Sequence, residues 1–204
     1  MKRMIVSRVL WCGCALIAAV APVGAARVDT ATKVVERIAA NDNRKPAGSL
    51  IDGVLTLGLE ARTGRWFPDG EQRAGVTVHA FAVDGGMLQV PGPLIRVRAG
   101  TQIHVDVRNR LDAPFAVHGL YSRHAERASE ATLVPVGESR AFTFVAREPG
   151  TYFYWAAQTD ETSVSLQTRD TLLGGAIVVD PIDRPPSSDR TLVIQHWTNS
   201  VSLA

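Results

Sequence analysis

In Ile95-Arg96-Val97-Arg98-Ala99-Gly100-Thr101-Gln102-Ile103-His104-Val105-Asp106-Val107-Arg108, apolar and polar residues alternate on both sides of an Ala-Gly break. A period of two sends β-branched side chains to one face and charged ones to the other, the pattern of a half-buried strand. Ala99-Gly100 supplies the turn that separates one strand from the next. The pattern repeats outward from here. Leu55, Leu57 and Leu59 alternate with Thr56 and Gly58, and Val76, Val78 and Ala80 with Thr77 and His79. Phe142 and Phe144, Tyr152 to Trp155, and Ala176 to Val179 continue it. Turn formers stand between them: Asp84-Gly85-Gly86, Pro91-Gly92-Pro93, Pro149-Gly150 and Gly174-Gly175. Many short strands with Gly and Pro between them, and no long helical pattern, predict an all-β sandwich or barrel over residues 50–182.

The flanks read differently. Residues 1–26 carry Lys2, Arg3 and Arg8, an apolar run from Val9 to Val20, and small residues up to Ala25-Ala26. That is the layout of a cleaved signal peptide, with an apolar stretch too short to span a bilayer well. The reading predicts a periplasmic or secreted protein with no membrane segment after cleavage. Residues 27–49 form a lead-in, in which Val34, Val35 and Ile38 make an apolar stripe at helical spacing before Asn41-Asp42-Asn43 stops it; a short helix or a loose arm is expected. Residues 183–204 begin with Arg184-Pro185-Pro186-Ser187-Ser188, a stiff polar linker. Leu192, Val193 and Ile194 then start a strand that reads as the first of a second, missing domain.

Charge excludes one class of partner. The full chain has 22 Lys+Arg against 20 Asp+Glu, a formal charge of +2. Losing Lys2, Arg3 and Arg8 with the leader turns that excess into a deficit of one, so no nucleic-acid-binding face is expected. Both cysteines, Cys12 and Cys14, lie in the leader. The rest of the chain has no disulfide and no thiolate ligand, so its stability must come from packing.

Four stretches, in order, resemble the first, plastocyanin-like domain of multicopper oxidases, and with it a cupredoxin-like Greek-key sandwich. Asp84-Gly85-Gly86 with Pro91-Gly92-Pro93-Leu94-Ile95 up to Gly100 is similar to N-G-x-x-P-G-P-x-I-x-x-x-x-G-D. Val107 to Leu111 running into Val117-His118-Gly119-Leu120 resembles an asparagine-containing strand followed by H-W-H-G-L. Pro149-Gly150-Thr151-Tyr152-Phe153-Tyr154-Trp155 resembles P-G-T-x-W-Y-H-S-H. Leu172 to Pro181 resembles G-L-x-G-A-x-I-V-x-P. Asp189 to Trp197 then looks like the D-R-x-L-x-L-x-D-W opening of a second domain.

The resemblance implies copper as cofactor and oxidation of a substrate with electrons passed to dioxygen. In the family, the first domain supplies four histidines to a trinuclear copper cluster. Here Ala116 and Val117 stand where H-W belongs, and Trp155, Ala156 and Ala157 stand where H-S-H belongs. Only His118 remains, as a vestigial copper ligand. A lone imidazole binds copper weakly, so copper is expected to be absent or weak here. The blue-copper site needs a Cys that the chain beyond its leader lacks.

The plainer reading of His118 is a strand-end polar residue bonded to backbone, and solitary histidines are more often structural than ligating. His79 and His104 are expected on the solvated surface; His124 lies in a charged loop and His196 in the last strand. The aromatic run Tyr152 to Trp155 is either core or a docking face, with Tyr152 and Tyr154 on one side and Phe153 and Trp155 on the other. Arg96, Arg98, Arg108 and Arg110 are read as a charged outer face rather than an anion site, and Asp160, Glu161 and Asp170 as solvated carboxylates. No catalytic residue is picked out. Three functions compete: the N-terminal part of a multicopper-oxidase-like protein that acts only with further cupredoxin domains, a copper-free module that binds an envelope protein, and a truncated remnant. The isolated chain is expected to be inactive.

Overall fold

The computed structural model describes residues 35–122, 131–158, 172–185 and 189–195. The predicted leader lies outside these residues, as do His124, Asp160, Glu161, Asp170, His196 and Trp197. Strands follow in order as β1 (Glu36–Arg37), β2 (Ala39–Ala40), β3 (Ser49–Ile51), β4 (Val54–Trp66), β5 (Val76–Val83), β6 (Leu88–Val90) and β7 (Ile95–Arg98). They continue as β8 (Gln102–Asn109), β9 (Phe115–His118), β10 (Thr132–Val134), β11 (Ser139–Val145), β12 (Gly150–Gln158) and β13 (Gly174–Asp180). No α-helix occurs among the described residues.

Two sheets result. The first runs β11-β8-β4-β5-β6-β2, with β1 and β3 also on β4; the second runs β10-β9-β12-β13-β7. The alternation read from the sequence is what closes them. Leu55, Leu57, Leu59, Ile103, Val105 and Val107 from the first sheet meet Ile95, Val97, Phe115, Val117, Tyr154, Ile177 and Val179 from the second in one buried cluster. At its centre Phe81 packs edge-on to Phe115 at 6.4 Å and against Tyr154 at 5.8 Å. The fully buried Tyr154 hydroxyl donates to Pro93 O at 2.7 Å, which satisfies its polar end. Burial pushes its pKa far up, so it stays a neutral donor.

Two expectations need correction. The lead-in is neither a helix nor a loose arm over its described part. β1 pairs parallel to β4 and β2 parallel to β6, and Ile38 between them is buried with Val78, Ala80, Ala82, Leu88, Val90 and Leu172. That cover inverts the face assignment of β5. Val78 and Ala80 lie under the lead-in on the sheet's outer side, and Phe81 faces the sandwich interior. His79 shares the inward face with Phe81 and is buried rather than solvated. Its Nδ1 lies 3.1 Å from Thr63 Oγ1 and its Nε2 lies 3.4 Å from Gln158 Nε2, linking the two sheets.

β13 departs from alternation because both its faces are covered, and all seven of its residues are buried. Ile177 and Val179 point into the main core. Ala176 and Val178 point outward and pack with Leu94 and Val193. Residues 189–195, which contain Val193, carry no strand pairing.

Candidate functional site

The site is the outward face of the β9–β12 pair, and a buried asparagine positions its first strand. Asn109 ends β8 with no exposed surface. Its amide nitrogen donates to Ala113 O at 2.9 Å and Val134 O at 3.0 Å, and its side-chain oxygen accepts from the Leu111 N–H at 2.8 Å. These bonds shape the turn that delivers the chain into β9 and tie it to β10. Gly119 ends β9 at φ 83, and a Cβ there would collide with Phe153 O. Only glycine suits both demands.

β9 and β12 pair antiparallel with Trp155 opposite His118, Ala156 opposite Val117, and Ala157 opposite Ala116. Directly opposed residues share a sheet face, as do positions two apart. Phe115, Val117, Tyr154 and Ala156 face the core. Ala116, His118, Trp155 and Ala157 therefore form the four corners of one patch on the other face. These corners are the positions at which the resemblance implies four histidines. The fold brings them together; the side chains for a cluster are missing from three of them.

His118 and Trp155 stack face to face, with centroids 3.9 Å apart and planes 6° from parallel. Both are half-buried. Desolvation lowers the His118 pKa below its ordinary 6.5, so the ring favours its neutral form. Phe153, on the same face, is 41% exposed. The division of the aromatic run follows the expectation, with Tyr154 in the core and Tyr152 packed against it.

The donor set does not fit copper. One imidazole, two methyl groups and an indole that can only donate a hydrogen bond offer a single ligating nitrogen. Among the described residues, no three of His, Cys, Asp and Glu converge as a metal set. The other sequence candidates lie apart. His104 is half-exposed and bonded through its ring to Thr143 Oγ1 at 2.9 Å and Gln102 Nε2 at 3.0 Å. Arg96 and Arg98 sit on β7, in the second sheet. Arg108 is on β8 in the first sheet, and Arg110 just after it reaches Glu60 at 3.5 Å. The four arginines form no common site. The sequence reading missed the Asn109 clamp, although Asn109 before Leu111-Asp112-Ala113-Pro114 is a recognisable turn signal.

Comparison with known proteins agrees with this geometry. Residues 68–183, more than half of the chain, match the family model described as multicopper oxidase. A probable nitrite reductase-hydroxylamine oxidoreductase fusion protein of Kuenenia stuttgartiensis is 30% identical over 72% of this chain and 18% of its own length. The multicopper oxidase MmcO of Mycobacterium tuberculosis is 34% identical over 55% of this chain and 22% of its own. The chain thus spans about a fifth of the length of these curated relatives. Among solved structures, a multicopper oxidase from Campylobacter jejuni, a metallo-oxidase, superposes with a TM-score of 0.50 at 17% identity. That match covers 74% of this chain and 33% of the other, and it supports the fold alone. The chain belongs to the multicopper oxidase family, and its β-sandwich is a cupredoxin domain of that family.

Proposed function

We propose that this chain is the first cupredoxin domain of an exported multicopper-oxidase-like protein, and that it has no oxidase activity by itself. The observation that carries the reading is the patch of Ala116, His118, Trp155 and Ala157, a cluster-bearing frame with one imidazole left. Such a frame cannot hold a multinuclear copper centre on its own donors. The role left to it is structural, as a sandwich against which further cupredoxin domains assemble. The leader-like residues 1–26 support export to the periplasm or beyond.

Copper titration of the purified protein, alongside a His118→Ala variant, tests the copper part. Weak binding that ignores the substitution is expected. Tight binding lost in the variant would restore a copper site built on His118. Dioxygen uptake with copper and a phenolic substrate would overturn the claim of inactivity. For export, the expected result is recovery of a chain starting near residue 27 from the periplasm or medium; a full-length product retained in the cytoplasm would reject it.

A second reading, a copper-free binding module of the cell envelope, is favoured by one observation. Phe153 stands 41% exposed on the face that carries the His118–Trp155 stack. Aromatic residues of this kind anchor interfaces. Cross-linking in the native host separates the two, because capture of another cupredoxin domain favours the first reading and capture of an unrelated envelope protein the second.

A further inference from the structure

Beyond Asp180 the chain turns back onto the sandwich, and residues 189–195 lie on the outer side of the second sheet under three separate holds. The first is Arg96. Its Nε and one terminal nitrogen bond the two carboxylate oxygens of buried Asp180, each at 2.8 Å, and its other terminal nitrogen reaches Asp189 at 3.2 Å. These carboxylates raise the Arg96 pKa and keep the guanidinium charged. The second hold is Asn43, whose amide donates to Thr191 O at 3.1 Å. Asn43 is itself fixed, with its N–H donating to Asn41 Oδ1 at 3.0 Å, and Asn41 donates to Gly92 O at 3.1 Å. The third is Val193, packed on Leu94, Ala176 and Val178.

Exposure within the segment alternates as it would in a strand, although no ladder is present. Thr191, Val193 and Gln195 are half-buried, whereas Leu192 is 78% and Ile194 98% exposed. One face of an extended chain is seated and the other points away. Asp180 already orders the Arg96 fork, so little further freedom is lost when Asp189 joins it. Pro185, at the end of β13's exit turn, has a fixed φ and lowers the entropy lost on seating.

We propose that residues 189–195 are a latched strap, with Arg96 as the positioning residue that ties the end of β13 to it, so that the polypeptide beyond Asp180 leaves the sandwich in a set direction rather than as a free tether. Asp189 is 63% exposed, so its bond to Arg96 is open to salt, whereas the buried Arg96–Asp180 pair is shielded.

Trypsin provides the test. Arg184 precedes Pro185 and resists cleavage, so Arg190–Thr191 is the bond that reports on the strap. When seating is fast, its cleavage in the full chain follows the unseated population. Mass spectrometry of the fragment ending at Arg190 should show cleavage about tenfold or more slower than in a synthetic peptide of residues 186–198. Asn43→Gly removes the amide but keeps a residue suited to φ 54; it and Val193→Ser should each speed the cut several-fold, with circular dichroism unchanged. About 0.5 M salt should also speed it relative to the peptide. Cleavage of the wild-type chain at the peptide's rate overturns the strap, as does a slow rate indifferent to both substitutions. A response to the substitutions with none to salt overturns the part assigned to Arg96.

Discussion

Asn109 and His118 show how single residues set the behaviour of the site. Asn109 is fully buried, and three hydrogen bonds use its amide nitrogen and oxygen. Asn109→Ala leaves two carbonyls and an N–H without their partner, and each such loss costs about 1–3 kcal/mol before relaxation. The expected net loss is about 3 kcal/mol in chemical denaturation. A variant of wild-type stability would show that the clamp is not needed to hold the turn. For His118 the consequence is a pH dependence. Its folded pKa is lowered by desolvation, so the unfolded chain binds the proton more readily than the folded one. Its contribution is therefore fully present above the ordinary value near 6.5 and is lost as pH falls through the lowered folded value. His118→Phe keeps an aromatic ring on Trp155 and should flatten stability over that acidic window. An unchanged slope would show that another group is responsible.

At the scale of elements, what was legible follows from what a period of two can encode. The strands β4, β7 and β8 bury the residues that their alternation marks. β5 does not, because Val78, His79, Ala80, Phe81 and Ala82 are buried on both faces, and alternation cannot tell which face meets the main core. Only the lead-in on its outer side breaks that symmetry, and two-residue strands carry no readable period. The site was half legible. The family resemblance located its four positions, but their pairing across β9 and β12 required the register of the ladder. That register makes a prediction. Ala116→His with Ala157→His should place two imidazoles directly opposite each other beside His118. Crowding at these buried positions should cost about 1–3 kcal/mol each. Zinc or copper affinity should nevertheless rise about a hundredfold over either single variant, since three imidazoles in fixed geometry hold a metal more tightly than the two each single variant offers with His118. No gain over the single variants would show that the backbone no longer keeps the ligand frame.

Over the whole molecule, a chain with no cysteine after Cys14 must seal its cupredoxin sandwich by packing on its outer sides as well as between its sheets. Two short coverings do this: the lead-in over β5, and residues 189–195 over β13. Ile38→Ala should therefore cost about 2–4 kcal/mol, the range for a buried isoleucine, as read from the shift of a denaturation midpoint. A loss near zero would return residues 35–43 to the status of a loose arm. The sequence reading set residues 27–49 apart as a lead-in because Val34, Val35 and Ile38 follow helical spacing, and gave Leu192 to Ile194 to the first strand of a further domain. Composition alone does not mark a segment as cover; the position of its one buried residue does.

The parallel stack of His118 on Trp155 also gives the protein an optical reporter of its own. An imidazolium held against an indole quenches its emission by accepting charge from the excited ring, whereas a neutral imidazole does so far less. Trp155 fluorescence should dim as acid protonates His118. It should shift again when an occupant of the face displaces the histidine or strips water from the pair, so binding at this face can be followed by light without any attached label.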